Sequence, residues 1–327
     1  MLKSTVASMS LVLIGAVSVD ALKTFTLPES KLLFGNYNDL RIATPDSVQQ
    51  IRPPFDEGFN RGYFAYPSIS PNGDTIAWGF ATRWQQDKYR ARFGLGVYAL
   101  AAQKWKTYGD YDDIGTVAFS PTGSKVAFVA RQQGKVKEDL LIFNVATETV
   151  TTAPHPQGWL ETKGSMGWSR DETRLAIEIQ QDQPASSLKP TELDADRGPA
   201  IGVLEINNGS VQLFGNGFGP AWSPTGEWIA YYDPTGKKCL LMHPDGTGLK
   251  TATTVKDSWF SARSFGGTAP VWSADGKHLL LNVIKNGGPL IDVVLLDLAT
   301  GHTTTKSKSG LLVFGWVPYR RGATEKE

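Results

Sequence analysis

The sequence predicts an all-β fold, a six-bladed β-propeller of four-stranded antiparallel blades, from three observations. First, an apolar or aromatic residue followed by a Ser-led turn recurs as Ile69-Ser70-Pro71-Asn72-Gly73, Phe119-Ser120-Pro121-Thr122-Gly123, Trp168-Ser169-Arg170-Asp171-Glu172, Trp222-Ser223-Pro224-Thr225-Gly226 and Trp272-Ser273-Ala274-Asp275-Gly276, at intervals of 49 to 54 residues. Second, each of these turns precedes a short apolar run, as in Trp228-Ile229-Ala230-Tyr231-Tyr232. Third, 34 Gly and 19 Pro suit many tight turns between short strands. A period of roughly 40–50 residues with four strands in each repeat is the pattern of a propeller.

At the N-terminus, Met1-Leu2-Lys3 leads into an apolar run and then Val19-Asp20-Ala21, the layout of a secretory signal. Cleavage after Ala21 is expected, with export to the periplasm or the medium. The run is too short to span a ~30 Å hydrocarbon core comfortably, so no membrane insertion of the mature chain is expected. Residues 22–327 are then one propeller domain.

Strands are expected at 31–34, 39–44 and 48–51, which read as the second, third and fourth strands of an incomplete blade. Five complete blades follow, at approximately 63–108, 115–153, 164–214, 218–255 and 268–306. The most regular is the fourth, where Ser223-Pro224-Thr225-Gly226, Asp233-Pro234-Thr235-Gly236 and His243-Pro244-Asp245-Gly246 separate its strands. Pro at the second turn position presets φ, and Gly accepts positive φ at low steric cost. The last apolar stretch, approximately 311–319, has nothing after it to pair with, so it is expected to join 31–52 and close the ring. Closure by both termini removes the weakest seam of a circular array.

The Ser-Pro-x-Gly turns, and above all Leu240-Leu241-Met242-His243-Pro244-Asp245-Gly246-Thr247-Gly248-Leu249-Lys250, resemble the TolB-type, WD-like propeller repeat. The resemblance extends over nearly all of the expected mature chain. It implies the fold, while the repeat itself occurs in periplasmic scaffolds, peptidase propellers and other exported proteins. No counterpart of TolB's separate N-terminal α/β domain is expected.

Composition narrows the function classes. Thirty-three basic and 32 acidic residues give a net charge of +1, so no global field favours nucleic acid. Cys239 is the only cysteine and falls in an expected strand, which suits a buried small hydrophobe. There is no Gly-x-Ser-x-Gly elbow for a peptidase domain, and Pro234-Thr235-Gly236-Lys237-Lys238 lacks the upstream Gly and the Ser/Thr of a phosphate loop. The four His are scattered, and Asp194-Ala195-Asp196 lacks the distal Glu of a calcium loop. No cofactor and no metal are expected.

In a meander blade, the second-to-third and blade-to-blade connections share one face. The long connections fall there: 53–62, 81–93, 109–114, 130–139, 155–163, 180–199 and 257–267. On or beside them sit Arg61, Tyr63, Trp84, Arg92, Tyr111, Asp112, Asp113, Trp159, Glu161, Trp259 and Arg263. Aromatics supply contact area and Arg supplies directed hydrogen bonds, the composition of a recognition surface. The expectation is a monomeric, non-enzymatic scaffold that binds a protein, peptide or glycan partner on this face. The alternative is a propeller lyase or hydrolase whose carboxylates, Asp112, Asp113 or Glu161, work with Arg61 or Arg263 at the channel mouth.

Overall fold

The computed structural model of the chain describes residues 29–36, 39–51, 67–85, 90–156, 164–179, 199–256, 258–260, 268–285, 291–308 and 311–319. All regular structure in them is β. The strands are β1 (Ser30–Asn36), β2 (Asp39–Ala43), β3 (Val48–Ile51), β4 (Ser68–Ile69), β5 (Thr75–Gln85), β6 (Arg90–Ala99), β7 (Lys104–Phe119), β8 (Lys125–Gln132), β9 (Asp139–Asn144) and β10 (Thr149–Thr152). There follow β11 (Met166–Trp168), β12 (Arg174–Ile179), β13 (Ala200–Glu205), β14 (Val211–Asn216), β15 (Phe218–Trp222), β16 (Ile229–Tyr232), β17 (Lys238–Met242) and β18 (Lys250–Thr254). The last are β19 (Ser258–Phe260), β20 (Val271–Trp272), β21 (His278–Lys285), β22 (Ile291–Asp297), β23 (Thr303–Lys308) and β24 (Leu312–Pro318).

Every pairing is antiparallel between chain neighbours except two. β19 reaches past β20 to β21, and β24 returns to β1, giving the sheet order β24-β1-β2-β3. Two sheets are simple meanders, β11-β12-β13-β14 and β15-β16-β17-β18. β7 is long enough to serve two meanders at once, as the outer strand of β4–β7 and the inner strand of β7–β10.

The recurring serine is explained by its turn. The Ser70 hydroxyl accepts a hydrogen bond from Thr75 N at 3.0 Å, and Ser70 O accepts from Gly73 N at 2.8 Å. Ser120, Ser169, Ser223 and Ser273 accept in the same way from the amides of Lys125, Arg174, Trp228 and His278. The closing residue needs positive φ, which is +74° at Gly73 and +83° at Gly226. One turn meets this need without Gly, with Glu172 at +57°.

Successive sheets pack face to face through aliphatic and aromatic clusters. Ala118, Val129 and Leu140 meet Trp168, Leu175 and Ile177; Ile201 and Val203 meet Tyr231 and Met242; Leu241 meets Leu279 and Leu296. The last sheet then meets the first, with Leu280 and Val293 against Leu32, Phe34 and Val313. At that junction Asn282, fully buried, donates from Nδ2 to Val313 O at 3.0 Å and accepts from Val313 N at 2.9 Å. Tryptophan indoles stitch other junctions: Trp168 Nε1 donates to Ala118 O and Trp272 Nε1 to Ala221 O, each at 3.0 Å. Cys239 is buried, which pushes its thiol pKa up.

Two segments expected as loops are strands. Residues 109–114 lie within β7, and most of 81–93 is a continuation of the β5–β6 hairpin, pairing Ala81 with Phe93 and Gln85 with Arg90. The cause is continued pairing across bulges: β7 shifts from β6 (Phe93 with Tyr111) to β8 (Tyr111 with Gln132) without ending. Gly109, at φ +77°, supplies the bend. Likewise Ser258–Phe260, expected in a connection, pairs with β21.

Candidate functional site

Two features of the described structure have the make-up of a site: a central cavity, and the extension formed by β5, β6, β7 and β8. The cavity encloses about 720 Å³ and is walled by β4, the end of β7, β11, β15, β20 and β24. Its lining includes the hydroxyls of Ser68, Thr116, Ser165 and Thr268, apolar groups such as Phe119, Val271 and Phe314, and the turns with Pro71, Pro121, Arg170 and Pro224. Among the described residues that line it, Arg170 is the only charged one.

The β5–β8 extension is organised by a buried cation. Arg92, 3% exposed, donates from Nε to Asp110 Oδ1 at 2.8 Å, from Nη2 to Asp110 O at 2.6 Å and from Nη1 to Asp112 Oδ1. Asp112 Oδ2 accepts from Gly134 N at 3.2 Å, which ties β7 to the β8–β9 connection. A guanidinium presents its donors in a fixed fork, so one side chain fixes two carboxylates. Tyr111 points the other way and packs edge-on against Phe128 with ring centroids 5.7 Å apart, and burial pushes its hydroxyl pKa up to about 12. Next to them Arg131 faces Asp113 at 4.0 Å and Glu138 at 3.5 Å, while Gln132 and Lys135 both donate to Asp139 Oδ2. Val136, 89% exposed, stands at the tip of the adjoining connection.

Of the residues singled out in the sequence, the structure brings Arg92 and Asp112 into direct contact and places Tyr111 and Asp113 beside them. Arg92 and Tyr111 are interior, which differs from the expected exposed surface; the strand that runs through 109–114 covers them. Trp84 lies on β5 and Trp259 on β19 by their backbones. Arg61, Tyr63, Trp159, Glu161 and Arg263 lie outside the described residues, as does Asp194-Ala195-Asp196. Sequence reasoning missed Arg131 and Glu138, which only strand register brings together. It also passed over Arg170 and Glu172, although both stand out in the sequence as departures from Ser-Pro-x-Gly.

Glu172 reaches the preceding turn. Its Oε1 accepts from Thr122 N at 2.9 Å and Thr122 Oγ1 at 2.6 Å, and Oε2 lies 3.2 Å from Lys125 Nζ. Burial raises its pKa, but these hydrogen bonds outweigh that effect and hold it at about 2. Its neighbour Asp171 is also held at about 2, chiefly by the hydrogen bond from Ser169 Oγ and against the effect of burial. Among the described residues no group of three or more His, Cys, Asp or Glu could hold a metal ion, and no helix is long and apolar enough to cross a membrane.

No protein-family model matches the sequence, and no curated protein matches it. Solved structures do. TolB from Acinetobacter baumannii superposes with a TM-score of 0.61 at 13% identity, over 88% of this chain and 67% of that one. A putative TolB from Agrobacterium tumefaciens gives 0.58 at 15% identity, over 90% and 99%. An oligogalacturonate lyase in complex with manganese gives 0.50 at 16% identity, over 86% and 74%. The chain therefore has a TolB-like β-propeller fold, a scaffold shared by proteins that differ in activity.

Proposed function

We propose that this TolB-like propeller is an exported, monomeric, non-enzymatic scaffold of six blades that binds a protein, peptide or glycan partner on its long-connection face. The observation that carries the reading is the make-up of the central cavity. Its described wall holds one guanidinium and no carboxylate, imidazole or thiol, so it offers no proton-transfer pair. The lyase or hydrolase alternative draws on Asp112 and Asp113, and both already face arginines, Arg92 and Arg131. A ring of six blades closed by β24 is supported by its pairing with β1 and by the packing of the last sheet on the first. Export is supported by the pattern of residues 1–21.

The partner-binding surface comprises the outer side of the β5–β8 extension together with Arg61, Tyr63, Trp84, Trp159, Glu161, Trp259 and Arg263. Arg92 acts from below, as the group that positions Asp110 and Asp112. Capture from a native envelope fraction tests the reading. The full chain retains its partner, and a variant with the hairpin shortened between residues 84 and 91 loses it. Trp159→Ala and Trp259→Ala reduce capture without moving the denaturant midpoint. Undiminished capture by the shortened variant overturns the assignment of this face.

A further inference from the structure

The turn between β11 and β12 departs from its equivalents at two positions. Where the β4–β5, β7–β8 and β15–β16 turns have Pro71, Pro121 and Pro224, it has Arg170, and where all the others have Gly it has Glu172 at φ +57°. A non-Gly residue in that conformation is a local cost. Glu172 offsets it by clamping Thr122 and Lys125, so its charge is spent on the neighbouring turn. The Asp171 carboxylate is likewise spent, accepting from Ser169 Oγ and from Thr173 N and Oγ1.

Arg170 is left as the cation of the cavity mouth. It is exposed, and no described residue forms an ion pair with it. Its stem crosses towards the next turn, where a Cβ on Gly226 would stand 3.4 Å from Arg170 Cβ and 3.8 Å from Cδ. The cavity wall also carries Phe119, Val271, Phe314 and Trp316, each partly exposed.

Several polar main-chain groups of that wall are already engaged. An inner propeller strand pairs on one side only and would offer its other edge to a peptide. Here neighbouring side chains occupy part of that edge. Trp168 Nε1 donates to Ala118 O, Trp272 Nε1 to Ala221 O, Thr116 Oγ1 to Gly164 O and Asn282 Nδ2 to Val313 O, while Ser68 Oγ accepts from Phe119 N. A wall whose main-chain groups are in part already hydrogen-bonded suits an apolar chain, and one guanidinium that no described residue pairs suits a single anionic head.

We propose that the cavity binds a linear acyl carboxylate, its carboxylate on Arg170 and its chain along Phe119, Val271 and Phe314. This site lies on the turn face, opposite the surface assigned to the partner, and it stands whether or not that assignment does.

Dodecanoate, kept below its micelle-forming concentration, is the probe. Trp168, Trp222, Trp272 and Trp316 line the cavity, so intrinsic fluorescence and calorimetry both report binding. Saturable one-to-one binding is expected, with dodecanol, the same chain without the charge, roughly tenfold or more weaker. Arg170→Pro restores the residue of the equivalent turns, so the fold is retained; its melting temperature stays near that of the parent and its dodecanoate affinity falls to the dodecanol level. Equal affinity for dodecanoate and dodecanol, or an Arg170→Pro variant that binds dodecanoate unchanged, overturns the proposal. Binding of an apolar tetrapeptide with a free C-terminus, but not of dodecanoate, overturns it in favour of a peptide.

Discussion

The β15–β18 sheet is one short antiparallel meander, whereas the β5–β8 extension runs long strands across the join of two meanders. The first has strands of 5, 4, 5 and 5 residues, and the second of 11, 10, 16 and 8. In the short sheet two carboxylates each close their own turn. Asp233 accepts from Lys237 N at 2.8 Å, Lys238 N at 2.7 Å and Thr235 Oγ1 at 2.6 Å, and Asp245 accepts from Thr247 N at 2.9 Å. In the extension the strands outrun the apolar layer, and ion pairs between strands take its place. Arg92 there serves Asp110 and Asp112, and leaves Asp113 with Arg131 on the outside. Regularity keeps the polar contacts of the β15–β18 sheet local, whereas the longer strands bring charged side chains together.

The largest effect is expected where the extension depends on one buried charge. Arg92→Met leaves Asp112 without its cation and should cost about 3–5 kcal/mol in denaturant unfolding. A loss below about 1 kcal/mol would show that strand pairing alone supports the extension. Arg92→Lys tests the fork: an ammonium cannot serve both carboxylates in the same geometry, so most of the loss should remain.

Next is the regular sheet itself. Asp233→Ala removes three short-range hydrogen bonds from a residue only 8% exposed and should cost about 1–3 kcal/mol, with no effect on partner capture. Reduced capture by this variant would break the division between scaffold and surface.

The turn that departs from its equivalents gives a smaller, pH-dependent effect. The folded protein holds Glu172 at about 2, below its ordinary 4.5, so the clamp contributes fully above pH 4.5 and is lost as pH falls towards 2. Glu172→Gln should destabilise the chain by about 1–2 kcal/mol at pH 7, and the difference should shrink through that window in acid unfolding. A difference independent of pH would mean that the clamp works without charge. Smallest is Lys250→Ala. Lys250 Nζ lies 4.0 Å from the Trp228 ring centroid at an exposed site, and its loss should cost about 0.5–1 kcal/mol.

Much of this was legible from residue pattern. Ser70 and its equivalents, with Pro and Gly at fixed offsets, mark turns that close through hydrogen bonds spanning five residues, so local sequence suffices to find them. The return of 312–318 to the N-terminal strands was legible as well, because an apolar stretch with no following partner has to pair elsewhere. Residues 109–114 misled, since Gly109, Asp110, Asp112 and Asp113 carry loop chemistry. Their place in β7 depends on Phe93 and Gln132, partners 18 and 21 residues from Tyr111.

What the sequence determined by itself is the repeat: turn chemistry and strand alternation are set by φ preferences and short-range hydrogen bonds, which need no tertiary partner. Only the tertiary structure decided that Arg92 is interior, that Glu172 clamps the turn before it, and that Arg170 lines the central cavity with no ion-pair partner among the described residues. Each of these depends on side chains brought together from different sheets, where packing between blades sets distance and burial and no local spacing encodes it.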